Sequence, residues 1–177
     1  MDREQEFRAT LELYRNRVFT LAFYQLGGNE EAEDATQEVF VRLWRNWNEV
    51  SARDSPGPWL IRVTRNHCID LLRKRNRRRG AILEGVDEET IEAAPSGDAG
   101  PRAALETERT RERLEAAIQD LDEPFRSVVV LREIEEWSYN EIAEGLEMSL
   151  DQVKVNLHRA RKKLREKFLE REKVHDT

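Results

Sequence analysis

Two groups of residues carry side chains able to do chemistry. Toward the C-terminus, Gln152, Lys154, Asn156, His158, Arg159 and Arg161 recur at spacings that leave them on the outer face of one helix. Amides hydrogen-bond to base edges, and guanidinium or ammonium groups neutralise phosphates. The mixture suits a helix lying in a DNA major groove. The other group is His67-Cys68-Ile69-Asp70, which offers a nucleophile or a ligand within one helix turn. It stands alone, because no second cluster supplies the remaining members of a catalytic or metal centre. His67 falls on an apolar stripe, where a histidine is more often packed than ligating. Cys68 is the only cysteine, which excludes internal disulfides and cysteine-rich zinc sites. The chain therefore reads as a binding protein and not an enzyme, with no catalytic residue, no metal and no cofactor.

The elements that must position the first group are legible. Ser138-Tyr139-Asn140-Glu141 and Ser149-Leu150-Asp151-Gln152 both have capping-box spacing, in which hydroxyl and third-position side chain satisfy orphan backbone donors. The first opens a short helix, YNEIAEGL, and the second a long one, LDQVKVNLHRARKKLREKF. About four residues join them, which is helix-turn-helix spacing. Ile142, Ala143, Leu146, Met148, Val153, Leu157 and Ala160 supply the buried faces. One capping box is weak evidence. Paired boxes, a short turn and a basic second helix together are specific.

Charge tells the same story along the chain. The 177 residues are 38% hydrophobic and 37% charged, a balance that suits two small helical domains better than one large core. The net charge of −6 conceals a pattern. Over residues 62–79 eight Arg or Lys stand against one acid, Asp70. Over residues 154–167 seven stand against Glu166. Between them, Glu84, Asp87, Glu88, Glu89, Glu92 and Asp98 form an acidic spacer with no base. Two basic runs, each ending an apolar helical pattern, point to contact with a polyanion.

Helical periodicity runs through the rest, so the fold class is all-α. Phe7, Leu11, Tyr14, Val18 and Leu21 make one stripe, stopped by Gly27-Gly28-Asn29. A second helix spans about 31–47, with Ala32, Ala35, Val39, Leu43 and Trp47 inward. Residues 48–58 read as an irregular loop, since Pro56-Gly57-Pro58 cannot continue a helix. A third helix starts near Trp59, carries Leu60, Val63, His67 and Leu71, and dissolves into the basic run. Helices follow over 105–121 and from Pro124 to about Glu136. The expected organisation is a helical domain over 1–80, a flexible acidic linker over 81–101, and a helix-turn-helix domain over 102–177. No stretch approaches the ~20 apolar residues of a membrane span, and the opening MDREQEFRAT lacks a signal-peptide pattern. A soluble cytoplasmic protein is expected.

The segments EAEDATQEVFVRLWRN (31–46), WLIRVTRNHCIDLLRKRNRRR (59–79), DLDEPFRSVVVLREIEEWSYNEIAEGL (120–146) and VKVNLHRARKKLRE (153–166) follow one another in a telling order. In that order and spacing the chain resembles an extracytoplasmic-function sigma factor of bacterial RNA polymerase, in the sigma-70 family. The resemblance implies a sigma region 2-like domain that binds core polymerase and the −10 promoter element. It also implies a region 4-like domain that binds the −35 element through Gln152, Lys154, Asn156, His158, Arg159 and Arg161. Asp34, Gln37, Glu38, Phe40, Leu43 and Trp44 fall where the family grips the coiled coil of the largest polymerase subunit. Arg62, Arg65, Asn66, Arg73 and Lys74 fall on the reader of the −10 element, where a melted base needs a pocket and its backbone a basic track. The implied partners are core polymerase, through that coiled coil and the flap region, promoter DNA and an anti-sigma factor. The implied activity is promotion of transcription initiation, as a regulated stress-response sigma.

The sequence departs from the family pattern at particular places. Val50 and Pro56 stand where aromatics are frequent, so the loop residues that read a −10 base stay open. Asp151-Gln152 replaces Gly-Thr, and Val155-Asn156 replaces Ser-Arg. Glu147 replaces a turn glycine, at about 1 kcal/mol if that position takes positive φ. The acidic spacer has two readings, a plain tether or a mimic of nucleic-acid backbone in a positively lined channel. A competing function is a stand-alone helix-turn-helix regulator binding duplex DNA as a dimer. It explains 102–177 and leaves 31–79 without a role.

Overall fold

Gly27 ends the first helix by taking φ 81°, a left-handed conformation that only glycine adopts freely, and its N–H closes on Phe23 O at 2.8 Å. That turn sets the antiparallel pairing of α1 (Arg3–Leu26) with α2 (Asn29–Arg45) in the computed structural model, which describes residues 2–82 and 102–175. Arg75 reinforces the corner, donating to Leu26 O at 3.4 Å and to Glu31 at 3.2 Å. A single turn, α3 (Trp47–Val50), follows, and then α4 (Gly57–Ile82).

Two expectations are corrected here. Gly57-Pro58 opens α4 instead of preceding it, because proline in a first turn has no intrahelical N–H to forfeit. The basic run also stays helical through Ile82. Its charges are strung along an extended helix, where solvent screens their repulsion.

The second half builds α5 (Arg102–Gln119), α6 (Phe125–Val129) with a π-helical continuation (Val130–Ile134), α7 (Tyr139–Leu146) and α8 (Leu150–His175). Among the described residues there is no strand, in keeping with the all-α expectation. Glu136 and Glu147 both take positive φ, at 54° and 56°. Glu147 thus occupies the left-handed position that the sequence marks as unusual for a non-glycine. The acidic residues 84–98 lie outside the described residues.

The two halves share one apolar core. Tyr14, Val18, Leu21, Val39, Leu43, Leu60 and Ile61 of the first pack with Val128, Leu131, Trp137, Ile142, Leu146 and Leu157 of the second. Two glycines permit the close approach. A Cβ on Gly145 would lie 2.7 Å from Ile61, and one on Gly57 would lie 2.5 Å from the Trp137 ring. Trp137 stacks on Tyr14 at 5.6 Å between centroids, with the Arg17 guanidinium 3.7 Å over its ring. Gln25 is buried and its Nε2 donates to both Glu123 (2.7 Å) and Ser127 (2.8 Å), whereas Trp137 Nε1 in the same joint is buried without a hydrogen-bond partner. Apolar patterning along each half foretells helices; the joint between halves has no such signature.

Candidate nucleic-acid interface

The recognition face begins with the turn that launches it. Ser138 Oγ accepts from Glu141 N at 3.2 Å while the Glu141 carboxylate accepts from Ser138 N at 3.0 Å, completing the first capping box. In the second, Ser149 Oγ accepts from Gln152 N at 3.1 Å and Gln152 Oε1 accepts from Ser149 N at 2.8 Å. Both boxes expected from the sequence are therefore formed. Residues 147–149 join α7 to α8, with Val153, Leu157 and Ala160 fully buried beneath.

Along α8, Gln152, Lys154, His158, Arg159 and Arg161 are exposed, and Asn156 is half-buried. Asn156 Nδ2 donates to Met148 Sδ at 3.6 Å. Arg161 is paired with Glu133, so contact with a phosphate requires an exchange of partners. Val155, 47% exposed between Gln152 and Asn156, went unread as a site residue in the sequence. Its signal is positional: it lies off the buried 153/157/160 stripe, and an apolar side chain there suits a thymine methyl group.

On α4, Asn66, Arg73 and Lys74 are exposed, whereas Arg62 and Arg65 are half-buried. Arg62 reaches Glu147 of the helix-turn-helix at 4.0 Å, and Arg65 Nε is buried without a hydrogen-bond partner. The N-terminal part of α4 is thus covered by α7, and the five residues do not form one open track in this arrangement.

On α2, Asp34, Gln37 and Trp44 are exposed and Glu38 is half-buried. Phe40 and Leu43 are buried, at 5% and 0% exposed, Leu43 in keeping with its inward place in the apolar pattern. Both join Val39 in the apolar core, so Leu43 supports the surface from within. Phe40 floors a groove of about 460 Å³ between α1 and α2, walled by Leu11 and Phe19 and rimmed by Arg15 and Gln37. Trp44 lies under the Arg3 guanidinium at 4.5 Å, with Phe7 packed edge-on at 5.0 Å.

The His67–Cys68 pair is structural. Cys68 is fully buried and burial pushes its thiol up to about 12, so no thiolate nucleophile is available near neutrality. Arg42 donates to His67 Nδ1 at 3.2 Å and to Glu38 at 2.9 Å. Burial first, and then the Arg42 charge, hold His67 below the ordinary histidine range. The hydrogen bond from Arg42 holds Glu38 below the ordinary carboxylate range. Among the described residues no group of His, Cys, Asp and Glu is placed to hold a metal ion, and no helix is long and apolar enough to cross a membrane.

Comparison with known proteins agrees with this geometry. Residues 10–78 match Sigma-70 region 2, and residues 111–164 match Sigma-70 region 4. These two matches define the class as sigma-70. The chain is 35% identical over 153 residues to the ECF RNA polymerase sigma factor SigE of Mycolicibacterium smegmatis, covering 86% of this chain and 58% of that one. It is 30% identical over 162 residues to SigX of Bacillus subtilis, covering 92% of this chain and 83% of the relative. The fold is similar to that of the sigma factor RpoE of Bartonella quintana, solved in complex with the anti-sigma factor NepR. That likeness has TM-score 0.70 and 21% identity over 92% of this chain and 96% of the other. The chain belongs to the extracytoplasmic-function sigma factors of the sigma-70 family.

Proposed function

We propose that the protein is a promoter-specificity subunit that binds core RNA polymerase, recognises −10 and −35 elements and promotes transcription initiation. The observation that carries this reading is the pairing, in one chain, of a doubly capped helix-turn-helix with an exposed basic face and a second basic helix, α4. In this reading α8 contacts the −35 element and α4 the −10 element. The exposed rim of α2, Asp34, Gln37 and Trp44, meets the polymerase coiled coil, with the second half engaging the flap region. An acidic rim beside exposed aromatic surface suits a helical partner. The acidic spacer occupies a positively lined channel of the polymerase. The protein acts in the cytoplasm and is held in check by an anti-sigma factor, in keeping with the complex in which its structural neighbour was solved. A stand-alone regulator is not favoured, because it leaves α1–α4 idle.

In vitro transcription with core polymerase tests the reading. Addition of the protein should yield initiation at discrete start sites, preceded by shared −10 and −35 sequences. Unchanged transcript patterns with and without it would overturn the proposal.

A further inference from the structure

The two amides on the recognition face are already oriented by the protein. Ser149 N–H donates to Gln152 Oε1 at 2.8 Å. A backbone N–H only donates, so the carbonyl end of this amide is turned to the cap and Nε2 is turned away from it. At Asn156, Nδ2 donates to Met148 Sδ at 3.6 Å. A thioether has no proton to give, so the amino end faces the protein and Oδ1 points away. The two residues stand four apart on one helix face, about 6 Å along the axis, which is under two base-pair steps.

We infer that α8 reads its DNA element with a polarised pair, Gln152 donating through Nε2 and Asn156 accepting through Oδ1. This rests on the reading of α8 as the −35 recognition helix. An amide with both ends free grips adenine at N6 and N7 together. With one end turned inward, each amide makes a single bond of fixed sense. Gln152 then takes a base with a major-groove acceptor, guanine, thymine or adenine through N7, and disfavours cytosine, which presents only a donor. Asn156 favours a base whose exocyclic group donates, adenine or cytosine. Neither acts as a bidentate adenine reader, and Met148 and Ser149 are the positioning residues that set the code.

The test is transcription by reconstituted holoenzyme from a promoter library randomised across the −35 element, read out by sequencing the transcripts. Gln152→Glu keeps an oxygen for Ser149 N–H, and so keeps the cap, but removes the Nε2 donor. Discrimination against cytosine at one position should fall at least about fivefold, with the ranking at other positions retained. Met148→Leu conserves volume and releases the Asn156 amide. At a different position adenine should then gain over cytosine by about fivefold or more, as the amide becomes bidentate. Selection of adenine alone at both positions by the wild type, or unchanged base ranking in both variants, would overturn the inference. A wild-type holoenzyme with no −35 preference at all would overturn the assignment of α8 itself, and the pairing with it.

Discussion

At His67, burial and a neighbouring positive charge act in one direction. The folded protein holds this imidazole neutral below its ordinary pKa of 6.5, whereas the unfolded chain protonates it there. As pH falls through that value, the unfolded state takes up a proton that the folded state refuses. The stability held above about pH 6.5 therefore drains as pH drops toward the lower folded value. Thermal melting at neutral pH and at about pH 5.5, above the carboxylate range, should show a drop that His67→Gln reduces; an equal drop in both proteins would exclude His67 as the cause. Arg161 makes a second residue-scale case. It is half-exposed and paired with Glu133, a surface pair of little net worth. Arg161→Ala should weaken binding to all promoters about equally and lower the salt slope of holoenzyme binding by about one. Promoter-selective loss would instead make Arg161 a base reader.

The helix-turn-helix shows how an element can be secure in its ends and strained in its turn. Glu147 holds φ 56° where a side chain clashes with its own backbone. Its contact with Arg62 is long and exposed, too weak to offset the strain. Glu147→Gly should therefore stabilise by about 1 kcal/mol and raise the melting temperature by about 2–4 °C. Ser149→Ala, which removes the acceptor for Gln152 N–H, should destabilise by about 1 kcal/mol. A glycine variant that melts lower than wild type would refute the strain argument. At this scale the sequence was most readable. Capping boxes are local, so Ser138, Glu141, Ser149 and Gln152 announce their helices without any knowledge of the fold. Gly27 announces a stop in the same way. Gly57-Pro58 misled, because the same dipeptide that blocks a helix interior is welcome in a first turn. Phe40 is ambiguous in the sequence for a different reason. An apolar residue on an amphipathic helix can face a partner or a core, and periodicity does not name which. The inward pairs Gln152–Ser149 and Asn156–Met148 decide how the amides present themselves; of these the cap is visible in spacing and the sulfur contact is not.

Across the whole molecule, the packing of the halves stands against the span that promoter reading demands. Elements centred near −35 and −10 lie about 25 base pairs apart, roughly 85 Å of straight duplex. In this arrangement α7 rests on α4, with Gly145 against Ile61, and α8 itself is only about 39 Å long. Reading both elements at once requires the halves to part. Gly145→Ala tests the joint, since its Cβ would meet Ile61 Cβ and Cγ2 at 2.7 Å, atoms close to the backbone that cannot swing aside. The variant should show a larger radius of gyration by small-angle scattering with helicity unchanged, and Ile61→Ala in the same chain should restore compactness in part. An unchanged radius would mean that the joint tolerates the methyl group and that Gly145 is not its gatekeeper. The composition of this joint has a further practical result. Of four tryptophans, Trp137 sits at the seam, 1% exposed, sandwiched between Tyr14 and the Arg17 guanidinium. Parting the halves would wet this indole and remove its cationic neighbour in a single event. The protein thus carries its own optical gauge: a red shift in emission should report separation in real time, with no dye attached.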